Sequence, residues 1–415
     1  MAKSENKNSV HSSQFTAHRP IPYGRQHITN EDIQAVVETL KSDYLTQGPM
    51  IAEFEQAFAD YIGSKYAVAV ANGTAALHLC TLALGVKPGD KVITTPITFS
   101  ATANCVRYAG GDVVFADIDP ETYLLDINKV ENLLKNSPKG TYNGIIPVDF
   151  AGRAVNMEKY RELADEYGLW IIEDACHAPG GFFVDSKGEK QNCGNAWYAD
   201  LAIFSFHPVK HIACGEGGMI TTNDFEVYKK LNRQRSHGIT KFDDAYLNSA
   251  EFATGVQGET EYPGWYMEMQ ELGYNYRITD FQAALGISQL ARAEEGLQRR
   301  KEIASRYFDA FSDIPHITDR NLEAKSQHGH AYHLYVIEVK NRLELYKHLR
   351  ANNIFAQIHY IPVHLMPYYR EFGYIEGDLP AAENYYRHCI SLPMYPTLSE
   401  EEQGYILSII NQFLA

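Results

Sequence analysis

Between Tyr66 and Thr222 the chain switches repeatedly between two textures, and that rhythm limits its fold more than any other feature. KYAVAVAN, KVITTP, VVFADID, GIIPVDF, LWIIEDA, LAIFSF and GMITTN are short apolar runs rich in Val, Ile and Phe. Most are separated by stretches long enough for a helix, GTAALHLCTLALG being the clearest. Buried strands alternating with helices predict an α/β fold with a mainly parallel central sheet flanked by helices. Ligands of such sheets bind beyond the carboxyl ends of the strands. The residues at those ends therefore carry the functional argument.

The 415 residues leave room for more than one domain. Residues 1–20 are polar and read as a flexible tail, 21–280 as a large α/β domain, and 281–415 as a smaller α+β domain. Thr29 and Asp32 have capping-box spacing, and Ile33, Val36, Val37 and Leu40 share one face of the helix they predict. A long helical stretch starts at Thr279 and runs through SRYFDAF. HAYHLYVIEV and NIFAQIHYIPV then predict strands, and RLELYKHLRAN a helix. The segment from Lys241 to Gln270 is loop-like and aromatic, and its length suits a closure over substrate.

Composition removes several function classes. A net charge of -15 disfavours a nucleic-acid surface. No apolar run approaches the ~20 residues needed to cross a bilayer, and the first residues lack a signal-peptide core. A cytoplasmic protein without a membrane partner is expected. The six cysteines form no CxxC pair, and the histidines lack HExxH spacing, so neither a disulfide framework nor a metal site is expected.

Two residues at predicted strand ends carry chemistry. Asp174 closes LWIIED, and Lys210 closes LAIFSFHPVK. Alone, the acid reads as a cap or salt-bridge partner and the lysine as a solvated surface residue. Together they match the needs of pyridoxal 5'-phosphate (PLP): an amine for the Schiff base and a carboxylate for the pyridinium. A partly desolvated lysine sheds its proton more readily and becomes nucleophilic. Asn72-Gly73-Thr74-Ala75 opens a helix, where free N–H groups and the helix dipole favour a phosphate. Ser205 is a second phosphate donor, and Phe99 either stacks on a ring or packs in the core. Gly215, Gly217 and Gly218 keep the turn after the lysine small, and Glu216 either caps it, which is the expected role, or touches substrate.

NGTAALHL, TTPITFSATAN, IIEDACHAPG, FSFHPVKHIACGEGG and GYNYRITDFQAALGISQL together resemble the DegT/DnrJ/EryC1/StrS sugar aminotransferases, from about Ile21 to the C-terminus. That resemblance implies a fold-type I PLP-dependent transferase acting on nucleotide-linked keto sugars. It assigns Lys210 to the Schiff base and Asp174 to the pyridinium. It places His177 beside the cofactor ring, Gly73, Thr74, Ala75 and Ser205 at the phosphate, and Phe99 on the stacked face. Asn275 would reach the phosphate from a neighbouring subunit, which implies a homodimer with shared active sites. IPYGRQHIT, SDYLTQGP, RSHGITK and GWYMEMQELGYNYR look most like the pseudaminic-acid branch, which takes an amino group from L-glutamate to carbon 4 of a UDP-linked 4-keto-6-deoxy sugar. Ala213 and Cys214 depart from the pair of threonines common among relatives. Within IHYIPVHLMPYY, His359 is the candidate substrate contact. The alternatives are a dehydratase of the same fold, with histidine in place of the lysine, and a non-catalytic PLP-binding regulator. The FSFxxxK register keeps the lysine, and the short tail leaves no room for a DNA-binding domain.

Overall fold

The computed structural model describes residues 19–240, 246–321 and 329–415. The expected tail up to residue 18 and the start of the long loop, 241–245, lie outside the described residues. The seven apolar runs form one sheet: β1 (Tyr66–Val70), β2 (Lys91–Thr94), β3 (Asp112–Phe115), β4 (Gly144–Ile146), β5 (Trp170–Asp174), β6 (Leu201–Ser205) and β7 (Gly218–Thr222). Their order is β1-β7-β6-β5-β4-β2-β3. Every pairing is parallel except those of β7, which runs antiparallel to both β1 and β6.

Side chains alternate across each strand, and both faces are buried. Ile171 and Phe204 enter a core with Phe54, Phe58 and Leu163, while Ile172 and Ile203 enter the opposite one with Leu77, Leu79 and Val106. Each such side chain contributes about 1.5–3 kcal/mol on burial. That is why the strands read as unbroken apolar runs.

A third core joins Tyr307, Tyr335, Leu345, Ile390 and Ile406. It lies between helices and a three-stranded antiparallel sheet of Ile317–Asp319, Tyr335–Val339 and Cys389–Leu392. Ile21–Pro22 pairs in parallel with Ile354–Phe355, and Ile21 is buried in this core. Ile21 and Pro22 thus pack with the C-terminal part of the chain.

Two local expectations differ from the structure. The long helix is two, Asp280–Leu290 and Ala293–Phe311, broken at Ala291 and Arg292. NIFAQIHYIPV is strand only at Ile354–Phe355. Beyond it the chain turns back to the main sheet, where Val363 N–H donates to the Pro96 carbonyl at 2.9 Å. The expected helix Asn30–Lys41 forms, with Asp32 accepting the Thr29 N–H at 2.8 Å, and its apolar face is only partly covered within the chain, Val36 and Val37 being half-buried. Ile33 is 54% and Leu40 53% exposed. The inward side is instead held by Asp32, which accepts from Ser288, Gln289 and Arg292. Among the described residues no helix is long and apolar enough to cross a membrane.

Candidate active site

The carboxyl ends of β1, β5 and β6 open into a cavity of about 660 Å³, lined by Asn72, Gly73, Thr74, Phe99, Asp174, His177, Ser205, Lys210 and His359. These residues are far apart in sequence and share only the topology of the sheet.

At one wall, Asn72 ends the connection from β1 and caps the helix Gly73–Ala83, its Oδ1 accepting the Ala75 N–H at 2.8 Å. Ala75 is thereby committed to the cap and does not line the cavity. The N–H groups of Gly73 and Thr74 remain for an anion, with the Thr74 hydroxyl. A Cβ on Gly73 would meet Ser205 Cβ at 3.1 Å, and one on Gly218 would meet the Asn72 carbonyl oxygen at 2.6 Å. These glycines let three backbone segments converge.

Asp174 is 5% exposed. Its Oδ2 accepts the Thr102 hydroxyl at 2.7 Å and its Oδ1 the Cys176 N–H at 3.2 Å. Thr102 is paired in turn with the Thr98 hydroxyl at 2.7 Å. Both threonines lie in TTPITFSATAN, but the acid that Thr102 serves is 72 residues further on, which sequence spacing cannot reveal.

β6 ends at Ser205, and Lys210 sits five residues on, in a turn closed by its own N–H to the His207 carbonyl at 2.8 Å. Pro208 lacks an N–H and could not have continued the ladder. Phe206 is tied at both ends, its N–H to the Gly217 carbonyl and its carbonyl to the Cys214 N–H. Gly215 supplies the positive φ, +79°, of that return. Ala213 and Cys214 are buried. Desolvation lowers the proton affinity of the Lys210 amine, with Cys176 and Asp174 opposing it. Glu216 does not cap the turn. Its carbonyl accepts from Gln282 and its exposed side chain lines the cavity.

His177 is neutral, because burial and then Lys210 hold its pKa well below the usual value. Its Nδ1 accepts the Ala151 N–H at 3.2 Å, so Nε2 carries the proton and donates to the Tyr360 hydroxyl at 3.3 Å. His359 is buried and neutral, its pKa pushed down to about 3 by burial and then Lys210. Its Nδ1 meets Ser391 Oγ at 2.9 Å. Tyr360, its neighbour, is the residue of that segment that touches His177. Phe99 is 61% exposed and stands in the cavity, which excludes plain core packing. Asn275 is exposed and does not line the cavity of its own chain.

This combination of a desolvated lysine, a buried carboxylate, an anion-ready helix start and an open aromatic face fits PLP. Comparison with known proteins agrees. Residues 26–411 match the DegT/DnrJ/EryC1/StrS aminotransferase family. The chain belongs to that family. Its members are PLP-dependent. The chain is 38% identical to the spore coat polysaccharide biosynthesis protein SpsC of Bacillus subtilis, over 95% of this chain and 97% of that one. It is 36% identical to the UDP-4-amino-4,6-dideoxy-N-acetyl-beta-L-altrosamine transaminase of Campylobacter jejuni, over 93% and 95%. Among solved structures it is similar to Helicobacter pylori PseC, an aminotransferase involved in pseudoaminic acid biosynthesis, with a TM-score of 0.83, 30% identity, and 95% and 99% of the two chains covered. The fold is thus the fold-type I architecture of PLP aminotransferases.

Proposed function

We propose that this aminotransferase moves an amino group from L-glutamate to carbon 4 of a UDP-linked 4-keto-6-deoxy sugar, in the pathway to pseudaminic acid. The observation that carries the reading is the meeting of Lys210, Asp174 and the free helix start at Gly73 in one cavity. Bound there, PLP supplies the electron sink for removing a proton from the carbon that bears nitrogen.

The chain's own residues do the rest. Gly73 and Thr74 N–H, the Thr74 hydroxyl and Ser205 would hold the phosphate. Asp174, fixed by Thr102 and the Cys176 N–H, would hold the proton on the pyridine nitrogen. Phe99 would cover one ring face and His177 would flank the ring. Lys210 Nζ would hold the cofactor and serve as the proton carrier of the site, a role its desolvation favours. His359, neutral and in the wall, would meet the sugar.

Homodimer formation fits two further observations. Ile33 and Leu40 of Asn30–Lys41 stand open on its apolar side, a surface that suits a second copy. Asn275 is exposed and away from its own cavity, free to complete the partner's phosphate site. Incubation with glutamate and a panel of UDP- and dTDP-linked keto sugars tests the reading: 2-oxoglutarate and a 4-amino UDP-sugar are expected. Failure to aminate any UDP-linked 4-keto sugar would refute it.

A further inference from the structure

Behind the strand end that carries Asp174 lies an acid with no part in the chemistry above. Successive side chains alternate across a strand, so Glu173 points away from the cavity that Asp174 lines. There it meets Asp149, from the turn after β4, and Cys193. One oxygen of each carboxyl group and the Cys193 sulfur lie within 4.8 Å of one another. All three residues are buried, Asp149 completely.

The hydrogen bonds leave a gap. Asp149 Oδ1 accepts the Val155 N–H at 2.8 Å, and Glu173 Oε1 accepts the Gly194 N–H at 2.9 Å. Asp149 Oδ2 has no donor as long as both acids are ionised, apart from the weak one of the Cys193 thiol. No salt bridge reaches either acid among the described residues. The other ionisable groups nearby are Asp174 on the same strand, which adds a further negative charge, and Cys176 and Lys210 on its cavity side. Two buried carboxylates without a cation bear both desolvation and mutual repulsion. A single shared proton relieves both. Burial and then Asp149 push Glu173 well above the usual carboxyl range, and burial raises Asp149 to about 7.

We propose that Glu173 is a positioning residue of the amination site: it holds a proton at neutral pH and donates it to Asp149 Oδ2. The pair then carries one negative charge rather than two behind Asp174. The same bond fixes the turn that serves the site. Asp149 N–H donates to the Asp174 carbonyl at 3.0 Å, and its carboxylate closes the loop onto Val155. Between them Ala151 is held at φ +61° with its N–H on His177 Nδ1. Glu173 thus acts on Asp174 through charge and on His177 through the turn. This inference rests on the roles proposed above for those two residues.

Infrared difference spectroscopy on the full-length protein, with PLP bound and after its removal, tests it. At about pH 7 the wild type and Asp174→Asn should show the C=O stretch of a buried carboxylic acid, and Glu173→Gln should lack it. Thermal melting against pH gives a second readout. The native state keeps a proton that the unfolded chain releases, so this acid adds a component of stability that falls as pH rises above about 5. That component is opposite in slope to that of the buried histidines, and it is read as the difference between wild type and Glu173→Gln. Glu173→Gln, whose amide donates at every pH, should lose that slope. A wild type without the band, a band that survives Glu173→Gln, or identical pH slopes would overturn the proposal. A fully active Asp174→Asn with the band intact would instead count against the reading of Asp174 alone.

Discussion

Replacing Thr102 by valine tests how strictly the site depends on a charged, oriented Asp174. The side chains are nearly isosteric, so the change removes a hydroxyl and little volume. That hydroxyl donates the shorter of the two hydrogen bonds to Asp174, 2.7 Å against 3.2 Å from the Cys176 N–H. A hydrogen bond to a charged group is worth about 1.5–3 kcal/mol. The carboxylate is buried and no solvent replaces the lost donor, so most of that value should appear in the rate. With about 1.4 kcal/mol per tenfold, kcat/KM should fall roughly 10–100-fold. The assay is a single-turnover half-reaction with glutamate, followed by the absorbance of the cofactor, beside the melting temperature as a control for folding. Thr102→Ser keeps the hydroxyl and should recover most of the loss. A folded Thr102→Val enzyme within twofold of wild type would refute the reasoning, because Asp174 would then not depend on its hydroxyl donor.

Two other predictions follow from the surface and from the buried histidines. Ile33→Glu with Leu40→Glu should convert the proposed dimer to monomer in light scattering and abolish activity at dilute concentration; an intact dimer would remove that helix from the proposed interface. His177, His211, His330, His333 and His359 are all held below the ordinary histidine value by burial. The unfolded chain therefore binds protons that the native state refuses, and stability should fall as pH drops below about 6.5. For His359, whose value is about 3, the loss should continue down to that pH, and His359→Asn should flatten part of the melting curve. Equal slopes for the two proteins would contradict this.

The seven central strands were legible because both faces of each are buried, which writes them as apolar runs between helices. Lys210 and Asp174 were legible because strand ends in such a sheet point at its ligand site. What escaped was set by distance in the chain. Thr98 and Thr102 read as ordinary residues of a strand-to-helix turn, and only the fold brings Thr102, with Thr98 paired to it, to Asp174. In NIFAQIHYIPV the apolar content suggested a strand, but the segment turns back over the cavity and is held there by contacts from elsewhere, including the Tyr385 hydroxyl on the His359 carbonyl. The period of Ile33, Val36, Val37 and Leu40 was readable, but not that its own chain leaves Ile33 and Leu40 uncovered, since a helix sequence does not say how much of its apolar face its own chain covers. Ala75 matched the phosphate motif by position, and its N–H went to Asn72 instead.

The central claim is a covalent bond between the cofactor and one particular amine. Borohydride reduction of the protein with PLP, followed by peptide mass spectrometry, tests it most directly. A phosphopyridoxyl group on Lys210, absent in Lys210→Ala together with the visible absorbance and transamination, is the expected result. Attachment to another lysine, or a Lys210→Ala protein that still transaminates, would contradict it.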